Sequence, residues 1–575
     1  MLLFNARMIW SVFIGGEIKL GVKMAKLNLS QKKIAAAEEL LGISYTSDER
    51  EQMLSNLEGQ ILSAKARRSV ELNNDSPMAS RFDPRLPHFS MPREDGYIES
   101  ECNDKIPQSD EQIAFSSVRQ QASWIERGEI TSRRLVEIYL DRIDRYSANL
   151  ECFTVVLAAE ALKEADAMDA LMSVGMKLSP LHGIPYGLKD LFDTNGIITG
   201  WGAEPYKNRV PSADAEIVKK LRGAGAILIA KTSVGALAYN DIWYGGRTRN
   251  PWNTSEGSSG SSAGSASATA AGLCSFSIGT ETLGSITSPS NRCGATGLRP
   301  TFGRVSRRGG MALCWSLDKV GPICRYVEDT GRVLSVLNGY DPGDLGSIEA
   351  PFSFDARATS KNLRVGYLAK AFGDGANQID HNALAAVKSL GFKVNEVELE
   401  DLPYMSLINI LYAEAAAAFE HLTLTNQDDT LTWQDEGAWP NTFRKARFLS
   451  AVDHVQLDRL RFLAMKAMDN LFTQVDVLVG PFDTGPMLVA TNFTGHPCVH
   501  IRSGFSSLAS RGAASLGSGK LDTGSEGRGQ KYRVPQGFSI WGGLFKEGEI
   551  LSFAMKLEKK LSVAGEKPVL RQIKN

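Results

Sequence analysis

Lys189 stands inside the apolar run "IPYGLKDLF", and further along the chain the stretch "GSSGSSAGSASATAAG", Gly257 to Gly272, presents a dense set of serines. A serine hydroxyl is a weak nucleophile until a base removes its proton. The chain has seven histidines and none has a local relation to this stretch; His182 is the nearest upstream. Lys189 is the more telling base. In a desolvated pocket a lysine loses part of its preference for the charged form and accepts protons near neutral pH. The competing reading is a solvated lysine, or one paired with the adjacent Asp190. Gly260 to Gly264 also satisfies G-x-S-x-G, which would make Ser262 the nucleophile of an esterase, but that motif needs a strand directly before it and "RNPWNTSEGSS" is a poor strand.

The element holding these serines is either a flexible linker or a packed segment. A linker must stay solvated between two self-contained patterns. Here no charge and no proline occurs between Glu256 and Glu281, and "SAGSASATAAG" reads as a small-residue helix entering the strand-like "LCSFSIGT". Small side chains permit close backbone approach, so a packed element at a site is expected. The following "ETLGSITSPSNRCGATGLRP" stays rich in Gly and Ser, as in a structured loop.

The rest of the chain supplies the frame. Its 575 residues, 43% hydrophobic and 22% charged, suit a soluble globular protein with a sizeable core around one large catalytic domain. A formal net charge of -1, without a basic run interleaved with aromatics, argues against nucleic acid or an anionic membrane as main partner and for a small-molecule substrate. Seven scattered cysteines with no CxxC pair fit reduced thiols in a cytoplasmic protein and give no zinc site. The apolar run Met8 to Gly16 is too short to span a bilayer, and Met24 is an alternative start.

Residues 1–71 are read as an N-terminal helical arm of two helices. Gly42 ends the first, and the capping box Thr46-Ser47-Asp48-Glu49 opens the second, with Leu54, Leu57 and Ile61 on one face. The proline-rich 72–107 is a linker or a strap, and 108–575 the catalytic domain. Val136, Tyr139, Leu140 and Ile143 mark an amphipathic helix. "SADAEIVKKLRGAGAILIAKT" reads as helix, turn and buried strand, and "VDVLVGP" as a further buried strand. The order of elements indicates an α/β fold. Residues 503–530, with little apolar periodicity, are read as a flexible Gly/Ser-rich insertion.

Taken in order, "GIPYGLKDLFD", "NPWNTSEGSSGSSAGSASATAAG", "GTETLGSITSP" and "CGATGLRPTFGRVS" resemble the amidase signature family, as do "NFTGHP" and the C-terminal "VPQGFSIWGGLFKEGEILSFAMKLE". The resemblance runs from about Glu111 to the C-terminus. It implies a central mixed β-sheet covered by helices on both faces, and hydrolysis of amides by a Ser-cisSer-Lys triad without metal or organic cofactor. On this resemblance Lys189 is the base, Ser261 the bridging serine after a cis peptide from Gly260, and Ser285 the nucleophile. The backbone N–H groups of Thr282, Leu283, Gly284 and Ser285 form the oxyanion hole. Ser262 is either a supporting hydrogen-bond partner or a cap of the following helix.

Three positions depart from the family pattern. Leu283 replaces a glycine, Thr287 an arginine, and Glu281 the aspartate of "GTD". Leu283 keeps its N–H but its side chain reshapes the acyl pocket, and Thr287 removes a cation that could meet a carboxylate. Trp433 and Trp439 are read either as walls of the substrate pocket or as ordinary packing residues. Two further readings accompany the amidase: the glutaminase (A) subunit of a tRNA-dependent amidotransferase, which works with partner subunits, and a non-catalytic amidase-like scaffold. The N-terminal arm serves as a homodimer contact or as a brace.

Overall fold

Capping and periodicity place the elements as the sequence suggests, and the computed structural model of the chain describes residues 28–358, 362–373, 375–512 and 530–570. The apolar run Met8 to Gly16, Met24 and positions 513–529 lie outside the described residues. The chain divides into two units, Met1–Leu72 and Asn73–Asn575. In the first, α1 (Gln31–Leu41) begins where the Ser30 hydroxyl accepts from the Lys33 N–H and ends at Gly42, whose φ of 67° a glycine adopts without penalty. The capping box of Thr46 and Glu49 opens α2 (Ser47–Arg68). The two helices are joined by an ion pair of Glu38 with Arg50 at 2.7 Å.

The larger unit is built on an eleven-stranded mixed sheet. In chain order its strands are β1 (Phe153–Val156), β2 (Pro185–Lys189), β3 (Ile227–Thr232), β4 (Phe276–Glu281), β5 (Thr296–Arg299), β6 (Lys319–Cys324), β7 (Arg364–Tyr367), β8 (Lys393–Glu396), β9 (Val477–Pro481), β10 (Cys498–Ala509) and β11 (Lys531–Gly542). They lie side by side as β8-β7-β9-β11-β10-β5-β6-β4-β2-β3-β1. Helices flank this sheet. Among them α3 (Ser132–Tyr146) buries Val136, Tyr139 and Ile143, and α4 (Glu216–Gly223) leads into β3. All residues of β2, β3, β4, β6 and β9 are buried, which is why they read as continuous apolar or small runs.

One pairing decides where chemistry can occur. β2 runs parallel to β4, with Leu188 opposite Ile278, so the carboxyl ends of the two strands emerge side by side. Ligands of open α/β sheets bind outside such ends. β2 terminates there in Lys189. β4 terminates there in Glu281 and is followed by the turn bearing Ser285 and by α6 (Thr287–Cys293). The serine-rich stretch forms the loop before α5 (Ala263–Ala270), every residue of which is buried.

One segment differs from its sequence reading. Gly504 to Ala509 belong to β10 and pair with Lys531 to Gln536 of β11, so the first residues of the expected flexible insertion are part of a β-hairpin strand. Serines and glycines gave it no apolar alternation, but the backbone ladder and the packing of Phe505 on Trp252 at 4.8 Å hold it. The proline-rich segment after Asn73, read as a linker or a strap, packs on the body of the larger unit. Gly96–Ile98 pair in parallel with Ser353–Asp355, and Asn74 bonds both the N–H and the C=O of Ala312.

Candidate active site

Lys189 is fully buried. Its Nζ lies 2.8 Å from Ser261 Oγ, 2.8 Å from Thr280 Oγ1 and 3.0 Å from Ser262 Oγ. Pairing with Asp190 does not occur. The carboxylate of Asp190 accepts from the Gly200 N–H at 3.0 Å and faces Lys231 at 3.4 Å. Among the described residues Lys189 forms no ion pair. Burial therefore drives its pKa well below the ordinary lysine value, against the weaker upward pull of Asp318 and Glu281. His182 is spent elsewhere, with Nε2 on the carbonyl of Met168 at 3.1 Å.

The peptide between Gly260 and Ser261 is cis. Glycine is required at 260 by close approach, since a Cβ there would stand 1.7 Å from the carbonyl oxygen of Asn240. Ser262 is also buried. Its hydroxyl donates to the Thr280 carbonyl and accepts from the Thr280 N–H, each at 3.1 Å, and makes no capping bond to α5. A hydroxyl so enclosed is a poor candidate for the exposed nucleophile of an esterase elbow.

Ser285 sits in the turn after β4, and its carbonyl accepts from the Ser262 N–H at 3.1 Å, which ties the two serine-bearing segments together. Among the described residues its hydroxyl makes no hydrogen bond, and the N–H groups of Thr282, Leu283, Gly284 and Ser285 donate to no acceptor. Gly284 has φ 90°, a region that favours glycine. Runs of adjacent unpaired N–H groups are the chemistry from which anion-binding concavities are built.

Glu281 holds this turn, a role the sequence alone did not reveal. Its Oε2 accepts from the N–H groups of Ile286 and Thr287 at 3.0 and 2.9 Å and from the Thr287 hydroxyl at 3.1 Å. Its Oε1 pairs with Arg299 Nη1 at 2.7 Å and accepts from Asn492 at 2.9 Å. Burial works to raise the Glu281 pKa, but Arg299 and these hydrogen bonds outweigh it and hold the carboxyl at about 2. Asp318 fixes the other end of the turn, accepting from the Thr282 hydroxyl at 2.6 Å and from the N–H groups of Leu313 and Cys314. Thr280, Asp318 and Arg299 went unnoticed in the sequence. Thr280 and Arg299 lie inside quoted motifs but nothing in their types marked their roles, whereas Asp318 lies outside those motifs and meets the turn only in the folded chain.

Trp433 and Trp439 are buried against Tyr239, with ring centroids 5.0 and 4.8 Å away, and Trp439 Nε1 donates to the Leu237 carbonyl at 2.9 Å. Loop residues 237–240 in turn abut Gly260. The two tryptophans thus back the loop beside the serines and make no direct contact with Lys189, Ser261 or Ser285 among the described hydrogen bonds.

A family model described as Amidase matches residues 134–503. The chain belongs to the amidase signature family. It is a hydrolase acting on amide C–N bonds. Its relatives include the A subunit of the glutamyl-tRNA(Gln) amidotransferase of Oleidesulfovibrio alaskensis, 30% identical over 80% of this chain and 99% of the relative. The corresponding protein of Chromohalobacter salexigens is 32% identical over 67% of this chain and 89% of its own. Among solved structures, the peptide amidase of Stenotrophomonas maltophilia superposes on the amidase with a TM-score of 0.66 at 26% identity, covering 79% of this chain and 98% of that one. Among the described residues no helix of the amidase is long and apolar enough to cross a membrane.

Proposed function

We propose that the amidase cleaves a small-molecule carboxylic amide through an acyl-enzyme on Ser285. Lys189, neutral, takes a proton from Ser261 while Ser261 takes one from Ser285, whose Oγ attacks the amide carbon. The oxyanion is met by the N–H groups of Thr282, Leu283, Gly284 and Ser285. Ser261 then returns the proton to the departing nitrogen, and water releases the acid. The observation that carries the reading is a buried lysine that among the described residues has no counter-ion, 2.8 Å from the Ser261 hydroxyl, beside a turn whose four N–H groups are unpaired among those residues. Incubation with a panel of uncharged amides, scored for acid and for ammonia or amine, tests it. Turnover abolished by Ser285→Ala supports the reading; turnover unchanged by it removes Ser285 from the mechanism.

A second reading has its own support. Relatives matched over nearly their whole length are named as the A subunit of glutamyl-tRNA(Gln) amidotransferase, so this chain would be the glutaminase component of such an assembly. The same chemistry on Ser285 would then free ammonia from glutamine in the presence of partner subunits. Ammonia from glutamine only when partner subunits are added favours this reading, and turnover of uncharged amides by the isolated chain favours the free-standing amidase.

A further inference from the structure

The two halves of the triad arrive on separate segments, and the structure ties them at two levels. At the inner level Ser262 N–H bonds the Ser285 carbonyl, and the hydroxyls of Ser259 and Ser288 lie 2.8 Å apart. At the outer level both segments converge on one residue of the β10–β11 hairpin. Glu256, in the short strand Asn253–Gly257 five residues before Ser261, is fully buried. Its carboxylate accepts from Arg511 Nη2 at 2.7 Å, from Arg511 Nε at 3.2 Å and from the Arg511 backbone N–H at 2.7 Å. Asn250 completes its shell at 2.7 Å. From α6, which follows Ser285, Arg292 reaches the same point. Its guanidinium donates to the carbonyls of Arg511 and Gly512 at 3.4 and 3.2 Å and stands 3.8 Å from Glu256.

We infer that Arg511 is a positioning residue, whose fork and backbone fix the spacing between the segment carrying Ser261 and the segment carrying Ser285. The inference rests on the proposed triad. A bidentate guanidinium on a buried carboxylate is a directional contact that a point charge does not reproduce. Glu256 has no alternative cation in comparable geometry, because Arg292 is directed to carbonyls. With Arg511 truncated, the two segments keep their inner ties, the Trp252 Nε1 bond to the Cys293 carbonyl at 2.8 Å and the packing of Ala266 and Ala270 on Ile286, but lose the directional fork that sets their outer spacing. The Ser285 and Ser261 hydroxyls then spend less time in the arrangement a proton relay needs. A misplacement of about 1 Å between reacting groups can cost about 100-fold in rate. Nothing in this arrangement alters the burial of Lys189, so its protonation behaviour stays the same.

The test compares full-length Arg511→Ala, Arg511→Lys and Glu256→Gln with the unaltered protein. The rate constant for fluorophosphonate acylation of Ser285 is measured across pH, well below each variant's melting temperature and per folded molecule. The expected result is a fall of about 10- to 100-fold in Arg511→Ala, an intermediate rate in Arg511→Lys, and an unchanged midpoint of the pH profile. A purely structural role would lower the melting temperature and leave the rate per folded molecule untouched, and that outcome overturns the inference. So does a midpoint moved toward the ordinary lysine value, because the effect would then run through Lys189. Should Arg511→Ala fail to fold, Arg511→Lys and Glu256→Gln decide, and acylation of both at the unaltered rate overturns it. Absence of labelling at Ser285 in the unaltered protein overturns the triad together with the inference, whereas labelled wild type with undiminished variants overturns the inference alone.

Discussion

At the scale of residues, the proposed chemistry depends on one lysine kept out of water. Lys189 must be neutral to accept a proton, and burial lowers its pKa, so the neutral form persists to a pH well below 10.5. Acylation should therefore rise with pH through an inflection well under the ordinary lysine value and be lost as pH falls through it; a pH–rate profile of the unaltered protein checks this. Replacing Lys189 by Ala is expected to cost about 100- to 10,000-fold in turnover, the range of general-base catalysis. Gly260→Ala should abolish activity for a different reason, because its Cβ would meet the Asn240 carbonyl at 1.7 Å and force the serine loop to move; labelling of the purified variant reads the loss. The apolar run around Lys189 signalled its burial, while its proposed role as base came from the family resemblance. The partners of that base were less legible: Thr280 contributes a hydroxyl 2.8 Å from Nζ, and nothing in its type distinguishes it from any strand threonine.

At the scale of elements, the parallel neighbours β2 and β4 bring Lys189 and the Ser285 turn to one edge, and α5 brings Ser261 and Ser262 across it. Helix α5 was readable from its small residues. The anchoring of the turn was not, since Glu281 works through Arg299 on β5 and Asn492 from a distant helix, contacts that only the folded sheet creates. Glu281→Gln removes one partner of a fully buried ion pair and should destabilise the fold by about 3–5 kcal/mol, measured by denaturant unfolding. The pH dependence has a definite sign. A carboxyl held at about 2 when folded, against 4.5 for the free group, contributes stability that is complete above about 4.5 and lost as pH falls toward 2. The stability gap between wild type and Glu281→Gln should narrow over that window; a gap that widens toward acid would contradict the assignment. The hairpin of β10 and β11 was hidden for another reason, because serine-rich strands held by backbone pairing and a few aromatics carry no alternation to read.

At the scale of the whole molecule, every residue assigned to the site belongs to the unit that begins at Asn73, which has its own sheet and core. A chain lacking residues 1–72 is expected to keep its amide hydrolase activity, assayed against full-length protein at equal active-site concentration. Its solution mass would show whether the arm of α1 and α2 holds copies of the chain together, an unchanged mass excluding that role. The helix pair was legible from its capping signals. The prolines left a linker and a strap both open, because the contacts that decide it, such as Asn74 with Ala312, join positions far apart in the chain.

The most direct measurement is to treat the purified protein with a fluorophosphonate and map the modified residue by peptide mass, alongside Lys189→Ala. Modification of Ser285, strongly reduced in the lysine variant, is the predicted result. Modification of Ser262, or of no serine at all, would contradict the account.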